Sequence, residues 1–262
     1  MYSKTLVLNI IFVAVSCDNN SHSLSPGNTD AITANKSFDD ENPYATINEI
    51  PLPGGFKRVN EGSGSFSTWL NKVTLKKNKT VYIFDGTEKF NQAAQFAVLD
   101  ITVGKKDLQQ CADAVMRLRA EYLFANRQYQ EIRFTDNEGK VYAFHPPFDY
   151  YNLTAYLNRV FGMCGSASLS KQLKRQPFNS IKPGDVLIRG GFPGHAVIVM
   201  SVASNQSGKK IYLLAQSYMP AQDIHVLTNP VNEKLSPWYE VDGGEVIETP
   251  EYNFTTKELK TW

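Results

Sequence analysis

Residues 181–202 read IKPGDVLIRGGFPGHAVIVMSV, two apolar runs separated by a turn that is rich in glycine. Pro183 and Gly184 open the first run, and short apolar runs bounded by turn residues are typical of buried strands. The pattern predicts a hairpin whose second strand begins at His195. A histidine there is held by rigid backbone on its strand side and lies beside glycines, which suits a general base.

Other patterns place one long helix ahead of a run of strands. Asp107 and Gln110 have the spacing of a capping box, and apolar residues then recur at steps of three and four: Leu108, Cys111, Val115, Leu118 and Tyr122. Before this helix we expect a helix start at 66–70 and strands at 80–84 and 96–103. After it we expect a hairpin of 132–135 with 141–144 and a helix over 150–163 that ends by Gly165. Strands are then expected at 185–189, 195–202, 211–215 and 223–227. This order predicts an α+β fold in which the long helix packs across an antiparallel sheet.

The composition is that of a globular chain with balanced charge. The 262 residues are 42% hydrophobic, which is enough to bury a core without disulfides or metals. Lysine and arginine total 27, against 26 aspartate and glutamate residues. Nucleic-acid binding needs a concentrated basic footprint, so the even balance argues against nucleic acid as a partner.

The first 17 residues are predicted to be a targeting segment. Lys4 precedes an apolar run, 6–15, that is too short to span a bilayer as a mature helix. The sequence Ala-Val-Ser before Cys17 resembles the bacterial lipobox, in which the cysteine is acylated and becomes the new N-terminus. The resemblance implies an exported envelope protein, periplasmic or on the surface, that is anchored to a membrane by lipid on Cys17. An ordinary secretory signal is the alternative.

The rest of the chain is predicted to form a tether and one domain. Residues 18–46 are rich in serine, asparagine, aspartate and threonine, so we expect a flexible polar tether. Residues 47–262 contain no internal repeat and no second low-complexity break, which predicts a single domain. We expect this domain to be a monomer.

Two cysteines remain beyond the lipidation site, Cys111 and Cys164. An oxidising compartment allows a disulfide between them, or one of them stays a reactive thiol, and the sequence leaves both open. Cys111 lies in the first turn of the predicted helix, where the helix dipole favours a thiolate and lowers the thiol pKa. The alternative is that Cys111, which is on the apolar stripe, is a small core residue.

Four short motifs occur in an order that resembles the papain-like cell-wall hydrolases of the CHAP and NlpC groups. They are Gln-Cys-Ala at 110–112, Lys-Pro-Gly-Asp-Val at 182–186, Gly-His-Ala-Val-Ile-Val at 194–199 and Leu-Ala-Gln-Ser at 214–217. The resemblance covers residues 107–220 and implies a papain-like (NlpC/CHAP-type) α+β fold with the hairpin and the helix after it as an insertion. The motifs Gly-Gly-Phe-Pro-Gly-His at 190–195 and Ala-Gln-Ser-Tyr-Met-Pro-Ala-Gln at 215–222 also resemble a bacterial envelope lipoprotein family of unknown function. This second resemblance extends over nearly the whole mature chain and implies no activity.

The resemblance implies a role for each matching residue. Cys111 is the implied nucleophile, His195 the base that takes its proton, and Gln216 the group that orients the imidazole. The Gln110 side chain or the Cys111 amide is the implied oxyanion donor. CHAP domains generally have glutamate at the third position. The amide of Gln216 accepts the imidazole N–H bond but does not offset imidazolium charge.

Residues 216–222 read QSYMPAQ, a stretch rich in amides and hydroxyls around one aromatic ring. As a substrate-binding segment, it would stack Tyr218 on a sugar ring or peptide while Ser217 and Gln222 form hydrogen bonds. The alternative is a hydrogen-bonded loop that ends a strand. His225 fits the alternation of a strand, and we expect it to be structural.

Other chemistries have weaker support in the sequence. No His-Glu-x-x-His motif or Cys/His cluster indicates zinc, and no Gly-x-Ser-x-Gly elbow indicates a serine hydrolase, so we expect neither a metal nor a cofactor. A glycosidase needs two neighbouring carboxylates, for which the candidates are Asp100, Glu121, Asp149 and Asp185.

The sequence therefore predicts a cysteine amidase or endopeptidase that acts on peptidoglycan peptides or related amides. In that case an alkylating agent should modify Cys111 at neutral pH or below, far faster than Cys164. The alternative is a papain-like module that binds cell-wall peptide or glycan without catalysis, with Cys111 as a packing residue.

Overall fold

The hairpin predicted at 181–202 lies at the centre of the computed structural model, which describes residues 41–59 and 61–262. The helices are α1 (Phe66–Asn71), α2 (Cys111–Ala125), α3 (Tyr150–Phe161) and α4 (Ser166–Gln172). The strands are β1 (Lys57–Arg58), β2 (Gln95–Val98), β3 (Arg133–Thr135), β4 (Val141–Ala143), β5 (Lys174–Arg175), β6 (Val186–Arg189), β7 (His195–Ser204), β8 (Lys210–Gln216), β9 (His225–Leu227), β10 (Tyr239–Glu240), β11 (Val246–Glu248), β12 (Asn253–Thr255) and β13 (Leu259–Thr261). Short 3-10 turns lie at Ile47–Glu49, Tyr129–Glu131, Phe178–Ser180 and Thr256–Glu258.

The main sheet of the described residues is antiparallel. Its strand order is β2-β9-β8-β7-β6-β13-β5, with β1 paired to β7 and β10 paired to β8. Two small hairpins, β3 with β4 and β11 with β12, lie outside it. The predicted α+β class, with a large antiparallel sheet and few helices, is confirmed, and so are the four predicted strands that became β6 to β9.

Strand β7 is buried on both faces. Ala196, Ile198 and Met200 contribute to one hydrophobic cluster, whereas Val197 and Val199 belong to a second cluster on the opposite face. Side chains alternate between the two faces of a strand. The continuous apolar run read from the sequence is therefore the pattern of a strand covered on both sides.

Helix α2 covers the first of these faces. It packs against β7 and β8, and its apolar residues Val115, Met116 and Leu118 are almost wholly buried. Two polar residues of the same helix, Asp113 and Arg117, are buried as well. The helix is thus enclosed more completely than the predicted stripe indicated.

The turn before β6 requires glycine. Gly184 has a φ of +89°, and a Cβ atom there would lie 2.6 Å from a ring carbon of Phe66. Both the left-handed backbone and the aromatic contact exclude a side chain. Gly184 therefore allows α1, which contains Phe66, to pack against the hairpin.

The strand predicted at 80–84 is wrong. Only isolated bridges form there, Tyr82 with Glu88 and Ile83 with Gln222. The backbone amide of Val81 donates to the Gln92 side chain, and that of Tyr82 donates to the Asp223 carboxylate. Side chains take these amides, so no strand ladder forms. The strand predicted at 96–103 is β2, which ends at Val98.

The predicted hairpin at 132–144 and the helix after it are confirmed as β3, β4 and α3. Helix α3 begins after its cap Asp149, whose carboxylate accepts the Asn152 amide, and Gly162 follows its last turn. The sequence patterns did not predict α4 or the strands after Leu227. Those strands are two or three residues long, too short for periodicity to show.

Packed structure begins before the predicted boundary at 47. Asn42 is buried, its backbone amide donates to the Lys77 carbonyl, and its side chain donates to the carbonyl of Lys76. The predicted signal segment with Cys17, and the tether up to residue 40, lie outside the described residues. In the part of the chain that is described, no helix combines the length and apolar character needed to cross a membrane.

Candidate active site

Cys111 is the first residue of α2, and its side chain is half-buried. Gln110 is the N-cap residue, and its backbone amide donates to the carboxylate of Asp113. The prediction that Asp107 caps this helix is wrong, because the helix begins four residues later. Asp107 instead accepts hydrogen bonds from the Gln110 side chain and from the Ala221 backbone amide, so it links the segment before α2 to the loop after β8.

The thiol of Cys111 lies at the start of β7. The backbone amide of Ala196 is within hydrogen-bonding reach of the sulfur, as is that of Ala112, and both lower the thiol pKa. Burial and the nearby Asp113 carboxyl outweigh them and raise the pKa of Cys111 to about 11. The prediction of a lowered pKa is therefore wrong. Desolvation of the thiolate outweighs the positive end of the helix dipole.

His195 is the first residue of β7 and is only 2% exposed. Its ring packs against three aromatic rings, with centroid distances of 4.8 Å to Tyr218, 4.9 Å to Tyr252 and 5.8 Å to Phe254. Burial among these rings lowers the pKa of His195 to about 4, with the Gln216 hydrogen bond opposing the shift. The imidazole is therefore neutral at pH 7, which is the state that a general base requires.

Gly194 allows the chain to enter β7 at this point. A Cβ atom there would lie 2.4 Å from both the Gly191 carbonyl oxygen and the Ser166 hydroxyl. The turn is consequently closed against the start of α4. This packing fixes the backbone that carries His195.

Gln216 is the last residue of β8 and lies beside His195. Its Oε1 is 2.8 Å from Nε2 of His195. The structure thus brings Cys111, His195 and Gln216 to one place, where helix α2 meets the ends of two neighbouring strands. Among these described residues, the thiol and the imidazole share no direct hydrogen bond. The link between them is the Ala196 amide, which follows His195 in the chain and is within hydrogen-bonding reach of the sulfur.

Two charged residues behind Gln216 were not predicted from the sequence. Glu251, in the turn between β11 and β12, accepts a hydrogen bond from Nε2 of Gln216 at 2.7 Å. Lys89 forms an ion pair with the same carboxylate at 2.7 Å, and both side chains are largely buried. Neither Glu251 nor Lys89 belongs to a recognisable sequence motif, so only the folded structure shows that they contact each other.

The predicted substrate-binding residues have different environments. Ser217 and Gln222 are buried, and the Ser217 hydroxyl lies 2.8 Å from the backbone carbonyls of Gln109 and Gln222. These two residues present no surface to a ligand, so they stabilise the loop, as the alternative interpretation held. Tyr218 is half-buried, and its ring lies on His195 at the edge of the site.

His225 is fully buried, as expected for a structural residue. Its Nδ1 donates to the Asp223 carbonyl at 2.9 Å, and its Nε2 lies 3.4 Å from Nε2 of Gln216. Burial, together with the positive charge of Lys89, lowers the pKa of His225 to about 3. The ring of His225 therefore stays neutral, and it contacts Gln216 from the neighbouring strand β9.

Both described cysteines are free thiols. Cys164 lies after α3 and is 7% exposed, and burial raises its pKa to about 11, with Asp136 and Asp113 adding to the effect. The structure thus resolves the question left open by the sequence in favour of two thiols. Neither of these two sulfurs is in a disulfide.

The carboxylates considered for glycosidase chemistry are dispersed. Asp185 is fully buried and bonds Lys182, and Asp149 caps α3. Asp100 and Glu121 line a cavity of about 410 Å³ further along α2, where Glu121 pairs with Arg117. Within residues 41–59 and 61–262, no three histidine, cysteine, aspartate or glutamate side chains are grouped so that they could hold a metal ion.

An open cleft of about 630 Å³ lies next to His195. It is lined by Arg189, Pro193, Thr249, Pro250, Glu251, Tyr252 and Asn253. Tyr252 is shared between the cleft and the aromatic surroundings of the imidazole. Neither Cys111 nor His195 is among its lining residues, so Tyr252 separates the cleft from the buried imidazole.

The fold and site define a mixed α+β domain with a cysteine, a histidine and an amide at the junction of one helix and the main sheet. Residues 47–148 and 143–261 match the family described as "Domain of unknown function (4846)", and the chain belongs to this family. No curated protein and no solved structure matches the chain.

Proposed function

We propose that this domain is a cysteine hydrolase that cleaves amide bonds by acyl transfer. Support comes chiefly from the hydrogen bond of 2.8 Å between His195 and Gln216, formed where the Cys111 thiol contacts the amide of Ala196. A nucleophile, a neutral base and a group that orients the base are the minimum set for this chemistry. All three belong to regular elements of the core.

The raised pKa of Cys111 and the lowered pKa of His195 define the resting state as a neutral thiol beside a neutral imidazole. During attack, Nδ1 of His195 takes the thiol proton while sulfur bonds to the substrate carbonyl carbon. The imidazolium then donates this proton to the amine as the C–N bond breaks, leaving a thioester. Water, deprotonated by the same ring, attacks the thioester and releases the acid and the thiol.

The carbonyl oxygen becomes negative during both attacks. The backbone amide of Cys111, at the positive end of α2, is the donor best placed to stabilise it. One hydrogen of the Gln110 side-chain amide is already bonded to Asp107, which fixes the position of that amide at the start of α2. Gln110 thereby offers its second N–H as a further donor.

The arrangement is similar to the papain-like pattern of the CHAP and NlpC groups. The helix that begins with the cysteine lies on an antiparallel sheet, the histidine begins one strand, and its polar partner ends the next. Elements β3, β4 and α3 lie between the cysteine and the histidine in the chain, in the position expected of an insertion. We therefore propose a papain-like domain with this insertion.

Peptidoglycan stem peptides or related amides are the proposed substrates. An extended peptide fits an open cleft of about 630 Å³ better than a small enclosed ligand does. Tyr218 and Tyr252, whose rings both contact His195, provide apolar surface next to it. The proposed lipid on Cys17 would hold the domain in the envelope, where such peptides occur.

The proposal is tested with isolated cell-wall peptides as substrate. Wild-type protein should release new amino and carboxyl termini, whereas Cys111→Ala should lower the rate at least about 10³-fold, because the proposed thioester forms on the sulfur of Cys111. Cys164→Ala is the matched control, since it removes the other free thiol of residues 41–59 and 61–262 and should keep the wild-type rate. Equal rates for wild type and Cys111→Ala would overturn the assignment.

A second function, binding of wall peptide or glycan without catalysis, is favoured by one observation. The pKa of Cys111 is raised to about 11, as in a cysteine that serves packing. Calorimetric binding to the same fragments distinguishes the two functions. Binding by wild type without any turnover would support the binding module, and turnover that depends on Cys111 would exclude it.

A further inference from the structure

A chain of buried polar contacts continues behind His195. Nε2 of His195 lies 2.8 Å from Oε1 of Gln216, and Nε2 of Gln216 lies 2.7 Å from the carboxylate of Glu251. Lys89 reaches the same carboxylate oxygen at 2.7 Å, and Asn91 donates to the other oxygen at 3.3 Å. The catalytic role of His195 rests on the proposed function, but this chain of contacts does not.

The chemistry of these groups fixes the direction of every hydrogen bond in the chain. An ionised carboxylate only accepts, so the NH₂ group of Gln216 must face Glu251. The carbonyl of Gln216 then faces His195, and because that oxygen also only accepts, Nε2 of His195 must bear the ring proton. A neutral imidazole has one N–H, so Nδ1 is left as the basic nitrogen.

His225 faces Gln216 from the adjacent strand and favours the same orientation. Its Nδ1 donates to the Asp223 carbonyl, which leaves its Nε2 as an acceptor for Gln216 at 3.4 Å. The bond to Glu251 is shorter and charge-assisted, and such bonds are roughly twice as strong as neutral ones. Glu251 is therefore the dominant group that orients the amide.

We propose that Glu251, held in place by Lys89, is the positioning residue that selects the Nε2–H tautomer of His195 by fixing the direction of the Gln216 amide. The side chain of Glu251 is 14% exposed and that of Lys89 is 7% exposed, so water competes little for these bonds. Glutamine at position 251 has both a donor and an acceptor. It would allow the side-chain amide of Gln216 to flip, so that both tautomers of His195 could form.

Nitrogen-15 NMR of the imidazoles tests the proposal directly, because the two ring nitrogens have distinct shifts in each tautomer. The wild-type signals of His195, assigned by their loss in His195→Gln, should show Nε2 protonated at pH 7. Glu251→Gln should move both signals toward the average of the two tautomers. Glu251→Asp, which keeps an acceptor-only group, should retain the wild-type tautomer, and Glu248→Gln, on the exposed side of β11, is the matched control.

Several results would overturn the proposal. A wild-type His195 protonated on Nδ1 would do so without any variant, even if Glu251→Gln did not fold. The proposal would also fail if folded Glu251→Gln kept a single Nε2–H tautomer of His195. It would fail as well if the His195 signals shifted equally in Glu251→Gln and Glu251→Asp.

Activity distinguishes this inference from the proposed function. If Cys111 is the nucleophile, Glu251→Gln should lower kcat about twofold with little change in KM, because an even mixture of tautomers halves the fraction of His195 with a basic Nδ1. If the tautomer changes while Cys111→Ala still cleaves substrate, the hydrolase assignment fails and the role of Glu251 stands.

Discussion

Oε1 of Gln216 lies 2.8 Å from Nε2 of His195, across the neighbouring strands β8 and β7. An amide oxygen orients the ring but has no charge to stabilise an imidazolium ion. Burial among aromatic rings also opposes that ion. The pair therefore keeps His195 neutral at rest. In the proposed mechanism the proton moves during attack, and no thiolate–imidazolium pair forms beforehand.

Replacing Gln216 by alanine should lower both activity and stability. The ring of His195 would lose its orienting acceptor, so we expect kcat to fall by about 10²-fold. The carboxylate of Glu251 would also lose a buried partner, which should reduce the free energy of unfolding by about 1–3 kcal/mol. Steady-state kinetics and urea denaturation measure the two effects, and unchanged kcat in a folded variant would contradict the role of Gln216.

The rate of Cys111 alkylation should depend steeply on pH. With a pKa raised to about 11 by burial, only about 10⁻⁴ of the thiol is ionised at pH 7. The iodoacetamide rate should therefore rise about tenfold per pH unit up to pH 10, which replaces the expectation of fast labelling at neutral pH. A plateau below pH 8, measured in Cys164→Ala to remove the second thiol, would show a stabilised thiolate instead.

His225 should make the domain sensitive to acid. Its pKa is about 3 when folded but near 6.5 when unfolded, so between these values the unfolded state binds the extra proton and stability falls as the pH falls. His225→Asn can still donate to the Asp223 carbonyl, but it has no titrating ring and therefore lacks this pH-dependent contribution to stability. The stability difference between wild type and variant should narrow by about 2–3 kcal/mol from pH 7 to pH 4.5. A constant difference in denaturant titrations would contradict the burial of a neutral ring.

Replacing Gly194 by alanine should disturb the start of β7. The added Cβ would lie 2.4 Å from the Gly191 carbonyl and the Ser166 hydroxyl, so the backbone at His195 must shift. We expect a loss of about 1–3 kcal/mol in the free energy of unfolding and a lower kcat. Gly54→Ala, whose Cβ meets nothing within 4 Å, is the control and should leave both unchanged.

The sequence was sufficient for the centre of the fold. The apolar runs on either side of the glycine turn predicted β6 and β7, and the hairpin predicted from 132–135 with 141–144 is β3 with β4. These elements depend on local patterns. The strand predicted at 80–84 failed because the side chains of Gln92 and Asp223 take two of the backbone amides that a strand would use.

The sequence was less informative about the electrostatics of the site. Motif order brought Cys111, His195 and Gln216 to attention, and the structure places them together. The predicted direction of the Cys111 pKa shift was wrong. A position in the first turn of a helix indicates the effect of the helix dipole, but the sequence does not show how far the thiol is buried. Glu251 and Lys89 were missed because their link to Gln216 exists only once β11, β12 and the loop at 84–92 are folded against β8.

The most direct test of the central claim is the mass of the protein during turnover. Wild-type protein mixed with wall peptides and quenched in acid should carry the acyl part of the substrate on the tryptic peptide that contains Cys111, and Cys111→Ala should carry none. Cleavage of substrate with no adduct on Cys111, and with equal rates in Cys111→Ala, would contradict the account.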